Sequence, residues 1–158
     1  GYEECCRLLL KYDVDLLFLK DGGRNTPLHV AAAYGQTKVV EMIINCKQGL
    51  ECIPIQNKGG GTPLHNAAYY GNTDIVKLLL ATKQGFDSIC MKNKEGDTPL
   101  HYAALAGQTD TFKMLLNTNE AYDALEMKND YKNTPLDYAK KKKHEDIVAL
   151  IKSFYSQI

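Results

Sequence analysis

Thr26-Pro27-Leu28-His29 is the stretch on which the reading of this sequence turns. It returns as Thr62-Pro63-Leu64-His65 and as Thr98-Pro99-Leu100-His101. A fourth copy, Thr134-Pro135-Leu136-Asp137, changes only its last residue. The copies start at 26, 62, 98 and 134, which is 36 residues apart each time. A fixed period of this length marks a repeat architecture, in which each unit buries its apolar faces against its neighbours.

Outward from that stretch, other columns keep the same phase. Ala31-Ala32, Ala67-Ala68 and Ala103-Ala104 align, as do Gly35, Gly71 and Gly107. Val39-Val40, Ile75-Val76, Thr111-Phe112 and Ile147-Val148 form one apolar column pair. Ile43-Ile44, Leu79-Leu80, Leu115-Leu116 and Ile151 form the next. Asp21, Asn57, Asn93 and Asn129 each stand five residues before a Thr. Thr is a helix N-cap, and Pro is tolerated at the first helical position because its missing N–H would be unpaired there anyway. Leu and the Ala pair predict a short helix with a small-residue face. The glycines predict its end, where a left-handed residue costs least. A second helix follows, with Val40, Ile43 and Ile44 at i, i+3 and i+4, expected to run longer, to about Cys46. The alternating pairs Ile53/Ile55, Ile89/Met91 and Leu125/Met127 suggest a short extended segment. The Asp/Asn and Gly after them signal a turn.

A unit of this kind resembles the ankyrin repeat, whose mark is T-P-L-H-x-A-A followed by Gly, a V-V pair and an L-L pair. The resemblance covers nearly the whole chain. It implies an all-α solenoid of stacked helix-turn-helix units with short hairpin-like loops. The family's usual period is 33, and the three extra residues here lie around 47–50, 83–86 and 119–122. One array is expected over 1–158. It comprises a partial repeat at 3–20, full repeats at 21–56, 57–92 and 93–128, and a C-terminal capping repeat at 129–158. The partial repeat would be a second helix at 3–11, carrying Cys5, Leu8, Leu9 and Leu10. It has no first helix ahead of it, so further repeats are expected upstream, and the opening Gly-Tyr-Glu-Glu reads as the start of a fragment. In the last unit, Asp137 and the run 140–143 make the terminal face polar, as a cap requires. The closing helix is expected from Asp146 to Tyr155, with Ile147, Val148, Leu150 and Ile151 inward.

Composition narrows the function. The 158 residues carry 19 Lys plus Arg and 19 Asp plus Glu. The halves 1–80 and 81–158 balance separately, at 8 against 8 and 11 against 11. Nucleic-acid or acidic-membrane binding draws on a basic excess, which is absent. No apolar run approaches the roughly 18 residues of a membrane span. The five cysteines are odd in number and form no C-x-x-C pair, so reduced thiols in a cytoplasmic protein are expected, with adjacent Cys5 and Cys6 as candidates for a reactive thiol. His29, His65 and His101 sit one unit apart, and packed helices lie about 8–10 Å apart. One zinc ion, which needs ligands about 2 Å away, cannot take two of them. A structural imidazole, bonded to the N-cap Thr and to neighbouring loops, fits better. Gly59-Gly60-Gly61 lacks the Lys and Ser/Thr of a phosphate loop and falls at a turn. No converging acid, base or nucleophile is legible. An enzyme, a cofactor and a small-molecule substrate are therefore not expected.

By resemblance to ankyrin arrays, a partner protein docks on the concave face, at the turn tips and along the exposed side of the first helices. Tip candidates are Arg24, Lys58, Lys94, Glu95, Asp97, Tyr131 and Lys132. Helix candidates are Tyr34, Tyr69, Tyr70 and Leu105, with Lys141 and Lys142 in the last unit. These columns differ between copies while the packing columns repeat, as expected of positions free of packing. Large amphipathic rings are favoured hot spots. Tyr102 and Tyr138, one residue after the His column, are expected to pack between repeats. The run 140–143 reads as a solvated cap face, with a nuclear-import patch or an anionic partner site as the alternatives. The expected protein is a monomeric, non-catalytic binding scaffold. The alternative is a targeting or regulatory segment of a larger protein whose activity lies elsewhere.

Overall fold

The computed structural model describes residues 13–46 and 48–156. The expected helix at 3–11, with Cys5 and Cys6, lies outside the described residues.

Each T-P-L-H stretch does what its residue types dictate. Thr26, Thr62, Thr98 and Thr134 are extended, and each opens a helix with Pro at its first turn. These first helices are α1 (Pro27–Ala33), α3 (Pro63–Tyr70), α6 (Pro99–Ala106) and α9 (Pro135–Lys142). Second helices follow at α2 (Thr37–Ile44), α4 (Thr73–Leu80), α7 (Thr109–Leu116) and α10 (Glu145–Tyr155). Gly71 and Gly107 close their first helices with φ of 74°. Both the left-handed backbone and a neighbour require glycine at Gly107, because a Cβ there would meet the His144 ring at 2.6 Å.

First helices pack on first helices, α1 on α3 on α6 on α9, and second helices pack likewise, α2 on α4 on α7 on α10. The paired alanines are almost fully buried between first helices, and small side chains let these helices approach closely. The core is thus a line of inter-unit seams holding Leu28, Leu64, Leu100, Val40, Val76 and Phe112. On the outer side of the first described unit, Pro27 and Val39 are only half-buried, whereas the matching Pro63 and Ile75 are buried.

Three expectations are corrected. Helices α2, α4 and α7 end at Ile44, Leu80 and Leu116; each has 8 residues against 7, 8 and 8 in the first helices, and α2 stops short of Cys46. The expected extended segments contain no strand among the described residues. The extra residues instead coil into a third short helical piece: a 3₁₀ turn at Gly49–Cys52, α5 (Lys83–Asp87) and α8 (Ala121–Glu126). Thr82 shows how the fold-back is made. Its hydroxyl donates to the Leu79 carbonyl at 2.7 Å and accepts from Gly85 N–H at 3.0 Å, stitching the end of α4 to the start of α5. Gly85 has no Cβ because one would run into the Leu79 carbonyl, and Gly49 stands the same way against Ile43. The apolar alternation misled because only Ile53, Ile89 and Leu125 are buried; Ile55, Met91 and Met127 lie half-buried in the run to the tip. Finally, α10 begins at Glu145, and Leu150 is only half-buried while Ile147 and Ile151 are fully buried.

Candidate functional site

The tips are built around one side chain per unit. The Asn57 carboxamide oxygen accepts from the N–H groups of Gly59 and Gly61, both at 3.0 Å. Asn93 does the same for Glu95 and Asp97, and Asn129 for Tyr131 and Asn133. Asp21 takes this role in the first unit, for Gly23 and Asn25. Each tip then hands one backbone bond to its neighbour. Lys58 N–H donates to Gly23 O, Lys94 N–H to Gly59 O, and Asp130 N–H to Glu95 O, at 2.8–3.0 Å. The tips therefore form a ladder with the same 36-residue step.

Histidine locks that ladder to the helices. Thr26 N–H donates to His29 Nδ1 at 3.2 Å, so Nδ1 is an acceptor and the proton sits on Nε2. Nε2–H then donates to the Gly61 carbonyl of the next tip at 3.0 Å. His65 bridges to Asp97 O and His101 to Asn133 O, each at 3.1 Å. Burial holds all three imidazoles below their usual pKa, His65 at about 4. In the last unit the Asp137 carboxylate accepts from Thr134 N–H and from its hydroxyl, both at 2.8 Å. It keeps the inward half of the histidine network and has no donor for an outward bridge.

A further column passes unread in the sequence although the register contains it: Gln36, Asn72, Gln108 and His144, each just after the glycine position. Asn72 Nδ2 donates to Ala32 O and Ala33 O at 2.7 and 3.0 Å, and Gln108 Nε2 donates to Tyr69 O at 3.1 Å. These amides cap the first helix of the preceding unit across the seam.

On this frame the expected surface residues separate. Arg24, Lys58, Lys94, Glu95, Tyr131 and Lys132 are exposed at the tips. Arg24 and Lys132 hold the left-handed conformation that Gly60 and Gly96 take in the inner units. Asp97 is corrected: it is 1% exposed, and its carboxylate accepts from Asn129 Nδ2 at 2.7 Å. It is a strut between tips, and the signal was its place in the column of Asn25, Gly61 and Asn133 directly before Thr. Leu105 is half-buried. Tyr34, Tyr69 and Tyr70 are 77%, 41% and 58% exposed. Tyr69 packs edge-on against both Tyr70 and Tyr102, with centroids 5.1 and 5.7 Å apart. Tyr102 in turn meets the His65 ring edge-on and accepts from Asn93 Nδ2 at 2.9 Å, so it packs between units as expected. Val30, Ala33, Tyr34, Asn66 and Tyr70 line a groove of about 590 Å³ that reaches the tip residues Asn25 and Asn57. Among the described residues no group of His, Cys, Asp or Glu is arranged to hold a metal, and no helix is long and apolar enough to cross a membrane.

A family profile described as ankyrin repeats matches the chain three times, over residues 1–53, 46–125 and 87–157. The chain belongs to the ankyrin-repeat family. A comparison with curated proteins finds no match. Ankyrin repeats are in general protein–protein interaction modules, typically scaffolds rather than enzymes. In this ankyrin array the histidines, the tip asparagines and the capping amides are all spent on holding units in register. Most of the tip side chains and the outer face of the first helices remain exposed.

Proposed function

We propose that this ankyrin array is a non-catalytic scaffold, monomeric and cytoplasmic, that binds another protein along its concave face and turn tips. One observation carries the reading: Tyr34 and Tyr70 stand exposed along a groove that Val30 and Ala33 also line, and Tyr69, exposed as well, packs edge-on against Tyr70 beside it. Exposed aromatic rings beside a concavity bring large contact area at low conformational cost, which is the composition of binding hot spots. Arg24, Lys58, Lys94, Glu95, Tyr131 and Lys132 would set selectivity at the rim, where charges steer encounter more than they add affinity. The test is quantitative capture of partners by the wild-type array and by Tyr69→Ala/Tyr70→Ala. The double variant should keep its melting temperature and lose at least tenfold in affinity. Equal affinity for every captured partner would remove this surface from consideration.

A second reading, a targeting or regulatory segment of a larger protein, is favoured by the outer side of the first described unit. There Leu19, Pro27, Val30, Ala31 and Val39 line an apolar depression of about 460 Å³. In the three later units the positions matching Pro27, Ala31 and Val39 are buried. Joining one more T-P-L-H unit ahead of Gly1 in the 36-residue register should raise the melting temperature by several degrees. An unchanged melting curve would count against this reading.

A further inference from the structure

The face that meets a partner changes character along the array. The first helices of the first three units, 26–34, 62–70 and 98–106, contain no Asp, Glu, Lys or Arg. The fourth places Lys141 in the column of Tyr69 and Leu105, and Lys142 in the column of Tyr34 and Tyr70. Lys140, Lys141, Lys142 and Lys143 are all exposed. Of the carboxylates on either side in sequence, Asp137 is already engaged by Thr134, whose hydrogen bonds, more than the pull of Lys140, hold its pKa down, and Glu145 and Asp146 stand in the first turn of α10. Lys141, Lys142 and Lys143 make no ion pair within the described residues. Lysines in a last helical turn also favour the helix dipole, but this does not account for Lys143. It sits at φ 62°, where the three sister units have glycine. A β-carbon there is strained, and nothing in the packing repays it.

We infer that the partner segment is an extended acidic peptide. It sets an apolar or aromatic side chain into the Val30/Ala33/Tyr34/Tyr70 groove and carries carboxylates to Lys141, Lys142 and Lys143. This rests on the binding face proposed above and adds the partner's chemistry and polarity. Tyr70 and Lys142 are two units apart, about 20 Å at ordinary helix spacing. An extended chain covers that in about six residues. The charged half should be screened by salt and the anchored half should not.

The test uses the whole chain and a fluorescein-labelled peptide: one Phe, a spacer of about six Ser/Thr residues, then three glutamates. The expected result is saturable binding that weakens about tenfold for Lys141→Gln/Lys142→Gln/Lys143→Gln. A similar loss is expected with a Glu→Gln peptide, and Tyr34→Ala/Tyr70→Ala should weaken both peptides. Lys143→Gly should raise the melting temperature while weakening binding, a pairing that a merely structural lysine would not produce. Binding that needs the tyrosines but ignores the Glu→Gln change overturns this inference and leaves the concave-face reading standing. Binding that ignores the tyrosines as well overturns both. No binding, or a single-stranded oligonucleotide held more tightly than the peptide at the same lysines, overturns the acidic-peptide assignment.

Discussion

At the residue scale, His65 carries the most physical content. It accepts from the Thr62 N–H, pairs with the Thr62 hydroxyl at 2.9 Å and donates to the Asp97 carbonyl, all in a buried setting. Protonating Nδ1 would place two donors face to face, so the native ring stays neutral. Burial depresses its pKa from 6.5 to about 4. The sign follows from linkage. Between these values the unfolded chain takes up a proton that the native chain refuses, so stability is fully present above pH 6.5 and is lost as pH falls toward 4. The loss at His65 is on the order of 3 kcal/mol, and His29 and His101 act in the same direction. Urea unfolding at pH 7 and pH 4.5 should show the midpoint drop. The drop should shrink in His65→Ala, which itself costs about 3 kcal/mol at pH 7 by leaving Thr62 N–H and Asp97 O unpaired. A pH-independent midpoint in the wild type would contradict this account. The repeat of His at 36 residues was legible in the sequence, as was its Thr partner. The bond that Nε2–H makes was not, because its acceptor is a carbonyl one unit away.

At the element scale, the inserted third helices test whether the fold-back is needed. Gly85→Ala drives a methyl toward the Leu79 carbonyl and should destabilise by about 1–3 kcal/mol, although alanine is the better helix former. An equal or higher stability by chemical denaturation would show that α5 merely rides on the surface. In the closing helix α10, Ile151→Ala should cost about 2–5 kcal/mol and Leu150→Ala clearly less, since cavity cost follows burial and only Ile151 is fully enclosed. Helix starts were readable because Thr-Pro is a local signal. The end of α2, α4 and α7, and the helical path of the extra residues, were not. After α2 and α4 they depend on Gly49 and Gly85 lying against a carbonyl several residues away, after α7 the matching position is Ala121, and apolar alternation distinguishes neither from an extended run.

At the scale of the whole molecule, stability is a sum over seams rather than a property of one core. Removing 129–158 should unfold more than that unit. It exposes the outer side of α6 and α7, and it strips His101 of the Asn133 carbonyl and Asp97 of the Asn129 amide. A melting temperature more than about 10 °C below that of the intact chain is expected. Independence of the remaining units would appear instead as an unchanged midpoint for 1–128.

The amino-acid sequence by itself determined the family, the 36-residue register, the helix starts, and which columns pack and which face outward. These follow from residue types that act locally and recur in phase. Only the tertiary structure decided that Asp97 is a buried strut, that Asn72 and Gln108 cap a neighbour's helix, and that Tyr34 and Tyr70 share a groove. Each of these depends on contacts between residues about one period apart. Such contacts exist only once units stack, and they set whether a polar side chain is spent inside or left for a partner.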